Sequence, residues 1–159
     1  MNMRKIIYLL AILLTLIACN GIRISDKLNQ IDSLIAWEQI DSACVIHKSL
    51  SEVGMKPEDL AHYRLLATQL GFVTNQPLPS DSLLDMALIF YNKVGNKQKL
   101  ADAYYYKSLG AEKSNNYTQA ILYAKNAERL ADHSEDIRLK FKILENLSYL
   151  NALCENDLL

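Results

Sequence analysis

Apolar residues recur along this chain at three- and four-residue steps, and short clusters of Pro, Gly, Asn and Ser interrupt them, which predicts a succession of amphipathic helices. Ile31, Leu34 and Ile35 mark a first stripe, and Ile40, Ala43, Cys44, Ile46, His47 and Leu50 a second that stops by Gly54. Pro57-Glu58-Asp59 opens a third helix, with Pro in its first turn and acids at the positive end of the dipole. Its stripe is Leu60, Tyr63, Leu66, Ala67 and Leu70. Two prolines make Asn75 to Pro79 a loop. Ser80-Asp81-Ser82 then caps a helix carrying Leu83, Leu84, Ala87, Leu88, Tyr91 and Val94, halted at Gly95-Asn96. Lys97 to Lys113 and Tyr117 to Ala131 form the next two, joined by Asn115-Asn116. Ser134-Glu135-Asp136 caps a last one with Ile137, Phe141, Leu144, Leu147 and Ser148 on its stripe, before a turn at Asn156-Asp157 and one more helix starting at Leu158-Leu159. Glycine is scarce and no alternating β-rich run occurs, so an all-α fold is expected.

The helices repeat. Tyr63…Leu66-Ala67 recurs as Tyr104…Lys107-Ser108 and as Leu144…Leu147-Ser148, at intervals of about 40 residues. In the intervening helices Ala43, Ala87 and Ala120 fall at matching places. Tyr91 or Ala124 lies four residues on, and Val94 or Ala127 seven on. Small residues at fixed points let antiparallel helices approach closely while larger neighbours fill the gaps.

Tyr104-Tyr105-Tyr106-Lys107-Ser108, followed by Asn115-Asn116-Tyr117-Thr118-Gln119-Ala120 and Ala127, resembles a tetratricopeptide repeat. The sequence departs from the pattern at Lys107, where the repeat prefers Leu, at Ala124, where it prefers an aromatic, and in lacking the closing proline after Ala131. The spacing also exceeds the repeat's roughly 34 residues. The resemblance implies a right-handed α-solenoid of about three such antiparallel helix pairs, preceded by a lipoprotein signal helix.

That leader rests on Arg4, Lys5 and the apolar run Ile6 to Ala18. The run is too short for a spanning helix, which needs roughly 20 residues, and has the charged and apolar regions of a secretory signal. It closes on Leu16-Ile17-Ala18-Cys19, which resembles a bacterial lipobox, with cleavage before Cys19 and acyl chains on that residue. Several chains on one residue make a durable anchor. The expected organisation is a signal peptide over 1–18, a lipidated Cys and tether over 19–27, and a helical repeat domain over 28–159. That domain is expected to be incomplete at its C-terminus, because a solenoid needs a polar cap over its last apolar face. A lipobox together with Ile31-Asp32-Ser33-Leu34, Leu65 to Gln69, Ser80 to Leu83 and Ala103 to Lys107 is similar to the repeat-bearing lipoproteins of Bacteroidetes. This implies a lipid-anchored protein of the cell envelope. Asn20 in place of Asp after the Cys favours the outer membrane.

Composition narrows the function. The chain has 17 basic and 18 acidic side chains, and the leader removes only Arg4 and Lys5, so no basic stripe suggests nucleic acid. His47, His62 and His133 lack zinc-protease spacing, and no G-x-S-x-G, phosphate loop or Cys-His motif occurs. No catalytic residue, metal or cofactor is assigned, and His47 reads as a packed side chain. Cys44 and Cys154 read as half-buried free thiols. Asp32-Ser33-Leu34, Asp41-Ser42-Ala43 and Asp81-Ser82-Leu83 resemble short O-glycosylation acceptors of Bacteroidetes exported proteins but are better explained as helix caps or plain helix surface.

In tetratricopeptide arrays the first helix of each pair lines a concave groove. Carried onto this chain, the groove would present Arg64 and Thr68, then Asp102, Tyr105, Glu112 and Lys113, then Lys142, Glu145 and Tyr149. Tyr105 and Tyr149 are the anchor candidates, having rigid area with a polar tip. The resemblance implies a membrane-anchored, non-catalytic adaptor for a protein or peptide. The alternatives are a sensory input module cut from a longer regulator, and an accessory nutrient- or glycan-binding lipoprotein, although the single Trp37 makes a poor sugar platform. Replacing Cys19 by Ser is expected to abolish incorporation of labelled fatty acid and to move the protein out of the membrane pellet; full retention of label would place the anchor elsewhere.

Overall fold

A computed structural model describes residues 23–76, 81–132 and 136–156. The leader, Cys19, Pro77 to Ser80, His133 to Glu135 and Leu158-Leu159 lie outside the described residues. Among the described residues the chain forms helices and no strand: α1 (Ile24–Ala36), α2 (Ile40–Lys48), α3 (Pro57–Val73), α4 (Asp81–Val94), α5 (Lys97–Lys113), α6 (Tyr117–Ala131) and α7 (Ile137–Asn156). The stretch expected to be tether is already helical from Ile24. The buried Leu28 and Ile31 draw the first turn onto the core, and Asp26 sits at the positive end of the dipole.

The turns share one design. Glu38, Asn75, Gly95 and Asn115 adopt positive φ. The amide of the residue after each reaches back five positions, from Gln39 to Leu34, Gln76 to Gly71, Asn96 to Tyr91 and Asn116 to Ala111. This left-handed exit satisfies carbonyls that the helix end leaves open. In two turns the same residue then starts the next helix: the Asn96 and Asn116 side chains accept from the amides of Lys99 and Gln119. A Gly-Asn or Asn-Asn pair therefore ends one helix and begins another within two residues.

Each helix packs on the next in the chain, and α1, α3, α5 and α7 also touch in sequence, whereas α2, α4 and α6 make no close backbone contact with one another. The core divides accordingly. Leu28, Ile31, Ala43, Leu66 and Leu70 join α1 to α3 around α2. Ala61, Leu65, Leu84, Ala87, Tyr91, Leu100, Ala103 and Tyr106 join α3 to α5 around α4. Ala101, Ala120, Ala124, Ala127, Ala131, Leu139, Ile143, Leu147 and Leu150 join α5 to α7 around α6. The four alanines of α6 recur at three- and four-residue steps and form one smooth buried face.

The repeated positions behave alike in part. Leu66, Lys107 and Leu147 are all buried, as are Ala43, Ala87 and Ala120. Val94 is exposed where Ala127 is buried, because it is the last residue of α4. Ser108 is buried but Ser148 is exposed. The stripe expected on α7 is also rotated. Leu139, Ile143, Leu147 and Leu150 face the core, whereas Ile137, Phe141 and Leu144 point outward. The helix is apolar on two sides, and α5 and α6 cover only one.

Lys107, the residue that breaks the repeat pattern, is buried with its ammonium 2.9 Å from Asp85 and 5.4 Å from the centre of the Tyr123 ring. Its stem packs while its head reaches the half-exposed Asp85. Asp85→Ala is expected to lower stability by about 1 kcal/mol, discounted for the solvent around the carboxylate. Lys107→Leu, which removes the charge along with the need for a partner, should cost less. Urea midpoints check both, and a larger loss for Lys107→Leu would mean the pair contributes net stability.

Candidate functional site

A polar cluster joins α1, α3 and α5. Asp32 on α1, His62 on α3 and Lys99 on α5 converge. His62 Nε2 lies 2.7 Å from Asp32 Oδ2, and Lys99 Nζ lies 2.8 and 3.1 Å from the two Asp32 oxygens. Lys99 Nζ is also 3.0 Å from His62 Nε2. One ring nitrogen cannot donate to Asp32 and accept from Lys99 at once, so the cluster has two proton arrangements. Burial pushes the Asp32 carboxyl up, but the His62 hydrogen bond and the Lys99 ammonium outweigh it and hold the group below its ordinary range. Among the described residues the buried Tyr91 hydroxyl has no hydrogen-bond partner. Burial and the charges of Asp32, Asp102 and Glu58 raise its pKa.

Beside this cluster opens a cavity of about 930 Å³. The end of α1, the end of α3 and the starts of α5 and α7 surround it, and Arg138 of α7 donates to the Ala36 carbonyl of α1 across its mouth, at 3.1 Å. Its lining includes Asp32, Lys99, Asp102, Tyr105, Tyr106 and Lys142. Asp102, Tyr105 and Tyr106 stand at i, i+3 and i+4 on α5, and so share one face of that helix. The two rings meet edge to face, with centroids 5.0 Å apart.

Asp102 accepts no hydrogen bond and forms no ion pair among the described residues. Burial, helped by Asp136 and Asp32, pushes its carboxyl up to about 7 against the pull of Lys99 and Lys142. Tyr105 is half-buried, and burial with the nearby Glu145 and Glu112 pushes its hydroxyl up to about 12.

The groove residues projected from the sequence divide. Asp102, Tyr105 and Lys142 line the cavity. Glu112 and Glu145 lie along the seam, where Glu112 accepts from Asn146 at 2.8 Å and Asn146 meets the buried Ser108 at 2.8 Å. Lys113 and the half-exposed Tyr149 are open to solvent and do not line the cavity. Arg64 and Thr68 fall away from it. Arg64 pairs with Glu52 at 2.9 Å and reaches Met86 of α4, and Thr68 is buried against the Arg64 carbonyl. Helical register places them on the side of α3 that packs toward α4, which spacing alone left undecided.

His62, Lys99 and Tyr106 were not singled out in the sequence, because nothing local ties residues 32, 62 and 99 together. The aromatic run Tyr104 to Tyr106 was the available signal for the wall. His47 is a packed side chain, stacked on Tyr63 at 4.1 Å and bonded to its carbonyl, and burial lowers its pKa. Cys44 and Cys154 are free and half-buried. Ser33, Ser42 and Ser82 are exposed on helices, the last two in first turns. Among the described residues no helix is long and apolar enough to cross a membrane. Comparison with protein-family models, with curated proteins and with solved structures returns no match.

Asp102 gives stability a definite pH dependence. Its folded carboxyl holds a proton up to about 7, against an ordinary value of 3.8. Between these values the native state binds more protons than the unfolded one, so this group makes stability fall as pH rises from about 4 to 7. Asp102→Asn is expected to be more stable than the parent by about 1–3 kcal/mol at pH 8 and equal to it near pH 4. Urea denaturation across that range checks the sign; a difference independent of pH would mean Asp102 titrates normally.

Proposed function

We propose that the protein is a lipid-anchored helical-repeat adaptor of the cell envelope, similar to tetratricopeptide lipoproteins of Bacteroidetes, which holds a protein or peptide segment in the concave face of its first helices. The observation that carries this reading is the row α1, α3, α5 and α7, which pack on one another and surround one open cavity while α2, α4 and α6 stay apart. That is the packing expected of helix pairs stacked into a right-handed solenoid. The three cores, each shared between one pair and the first helix of the next, agree with it. In this reading Cys19 carries the lipid, Tyr105 provides the main aromatic anchor, and Glu112 and Glu145 border it. Lys113 and Tyr149 extend the contact toward the end of the row.

The reading is non-catalytic. The His62–Asp32 pair is engaged with Lys99 in tying three helices together rather than aimed at a nucleophile. The outward apolar residues of α7, Ile137, Phe141 and Leu144, favour a second possibility. In it, another helix pair or a partner continues the stack, as in an input module of a longer regulator.

Crosslinking of the tagged, lipidated protein in its host, with pull-down and mass spectrometry, tests the proposal. A specific envelope protein is expected in the wild-type pull-down and should be lost from the Tyr105→Ala/Tyr149→Ala variant. Recovery of the chain alone, from folded and membrane-bound protein, would overturn the adaptor reading.

A further inference from the structure

We infer that the cavity among α1, α3, α5 and α7 receives one cationic side chain of a bound peptide, with Asp102 as its counter-ion and Tyr105 and Tyr106 as its aromatic wall. The inference rests on the groove reading and gives that groove a ligand chemistry.

The case begins with what the neighbouring charges already do. Both oxygens of Asp32 are taken by Lys99, and one of them also by His62. Asp136 caps α7 through the Leu139 amide at 3.1 Å and meets Gln98 at 3.4 Å. Arg138 is bonded to the Ala36 carbonyl. Among the described residues Asp102 accepts no hydrogen bond and forms no ion pair, and it is half-buried and lines the cavity, whereas Glu38, the remaining lining acid, is exposed. A half-buried carboxylate without a partner is a ready counter-ion for a cation delivered from the cavity. Lys99 cannot do so without abandoning Asp32 and His62.

The walls suit the same ligand. Tyr105 and Tyr106 follow Asp102 by three and four residues on α5 and line the same cavity. A carboxylate flanked by aromatic rings is a recurrent arrangement for ammonium and guanidinium groups, which gain from both the charge and the ring quadrupole. The volume of about 930 Å³ exceeds what a bare amine fills and lies at the upper end of ordinary ligand sites, so a stretch of chain bearing the cation fits better than the cation alone. Lys142 and Arg138 also line the cavity, and they disfavour a run of positive charges. The ligand is therefore a peptide with one Lys or Arg at the contact, not a polycation.

The test uses the full-length protein in detergent micelles at about 0.15 M salt, where weak long-range attraction is screened. The probes are acetyl-Gly-Gly-Lys-Gly-Gly-amide, the same peptide with norleucine for lysine, and n-butylamine. Calorimetry reads binding, and carbon NMR reads the Asp102 carboxyl titration. The lysine peptide is expected to bind about tenfold tighter than the norleucine peptide and to lower the Asp102 titration midpoint. That preference should vanish in Asp102→Asn and survive in Arg64→Ala, which lies outside the cavity. Equal binding of the two peptides, binding of neither, or a preference that survives Asp102→Asn overturns the inference. If n-butylamine shifts Asp102 as strongly as the peptide does, the site belongs to free amines and the peptide assignment fails. A Tyr-dependent pull-down without lysine preference would sink only this inference, and lysine preference without any captured protein would sink only the adaptor reading.

Discussion

Ala43, Ala87 and Ala120 sit without exposed surface on α2, α4 and α6, and the rest of the molecule depends on the close approach of neighbouring helices that they permit. Isolated helices of this length are marginal in water, so their stability has to come from packing an apolar face. Here no pair packs alone. α3 sends Leu66 and Leu70 into one core and Ala61 and Leu65 into the next, and α5 does the same with Ala101 on one side and Leu100, Ala103 and Tyr106 on the other. Each inner helix is thus apolar on two faces, and a larger side chain at one of the alanines would disturb a pair and its neighbour together.

The inner row would be a plain stack of apolar contacts were it not for its charges. Asp32, His62 and Lys99 cross-link α1, α3 and α5 at one point, and Asp32 and Lys99 also line the cavity. Such clusters add geometric specificity more surely than they add stability. The same arrangement leaves Asp102 as the odd carboxylate out, since the nearest ammonium already has two partners. Asp102 therefore lines the cavity together with Tyr105 and Tyr106, and burial pushes its carboxyl up.

The departures from the repeat pattern have local physical reasons. Lys107 replaces an apolar residue by burying its stem and sending its ammonium to Asp85 beneath the Tyr123 ring. Ser108 and Asn146 form a buried polar link between α5, α6 and α7, completed by Glu112, where a strictly apolar repeat would have none. On α7 Ile137, Phe141 and Leu144 lie away from the face packed on α6 and are exposed.

Local chemistry made much of this architecture readable from the sequence. Turn residues such as Gly95-Asn96 and Asn115-Asn116 act within their own few residues, so the limits of α5 and α6 followed directly, as did the Pro57 start of α3. The alanine positions were visible because three copies could be compared. Residues 32, 62 and 99 were not visible as a group, because their meeting depends on how three helices rotate about their axes. That rotation is set by which of two apolar faces each helix buries. The same choice carried Arg64 to the Glu52 side, turned Phe141 and Leu144 outward, and brought Asp102 into the cavity with Tyr105 and Tyr106. The sequence by itself determined the helices and most of their ends, consequences of short-range backbone chemistry and periodicity, but not the Ile24 start of α1. The tertiary structure alone decided which face of each helix points inward, because that is a property of packing between elements far apart in the chain.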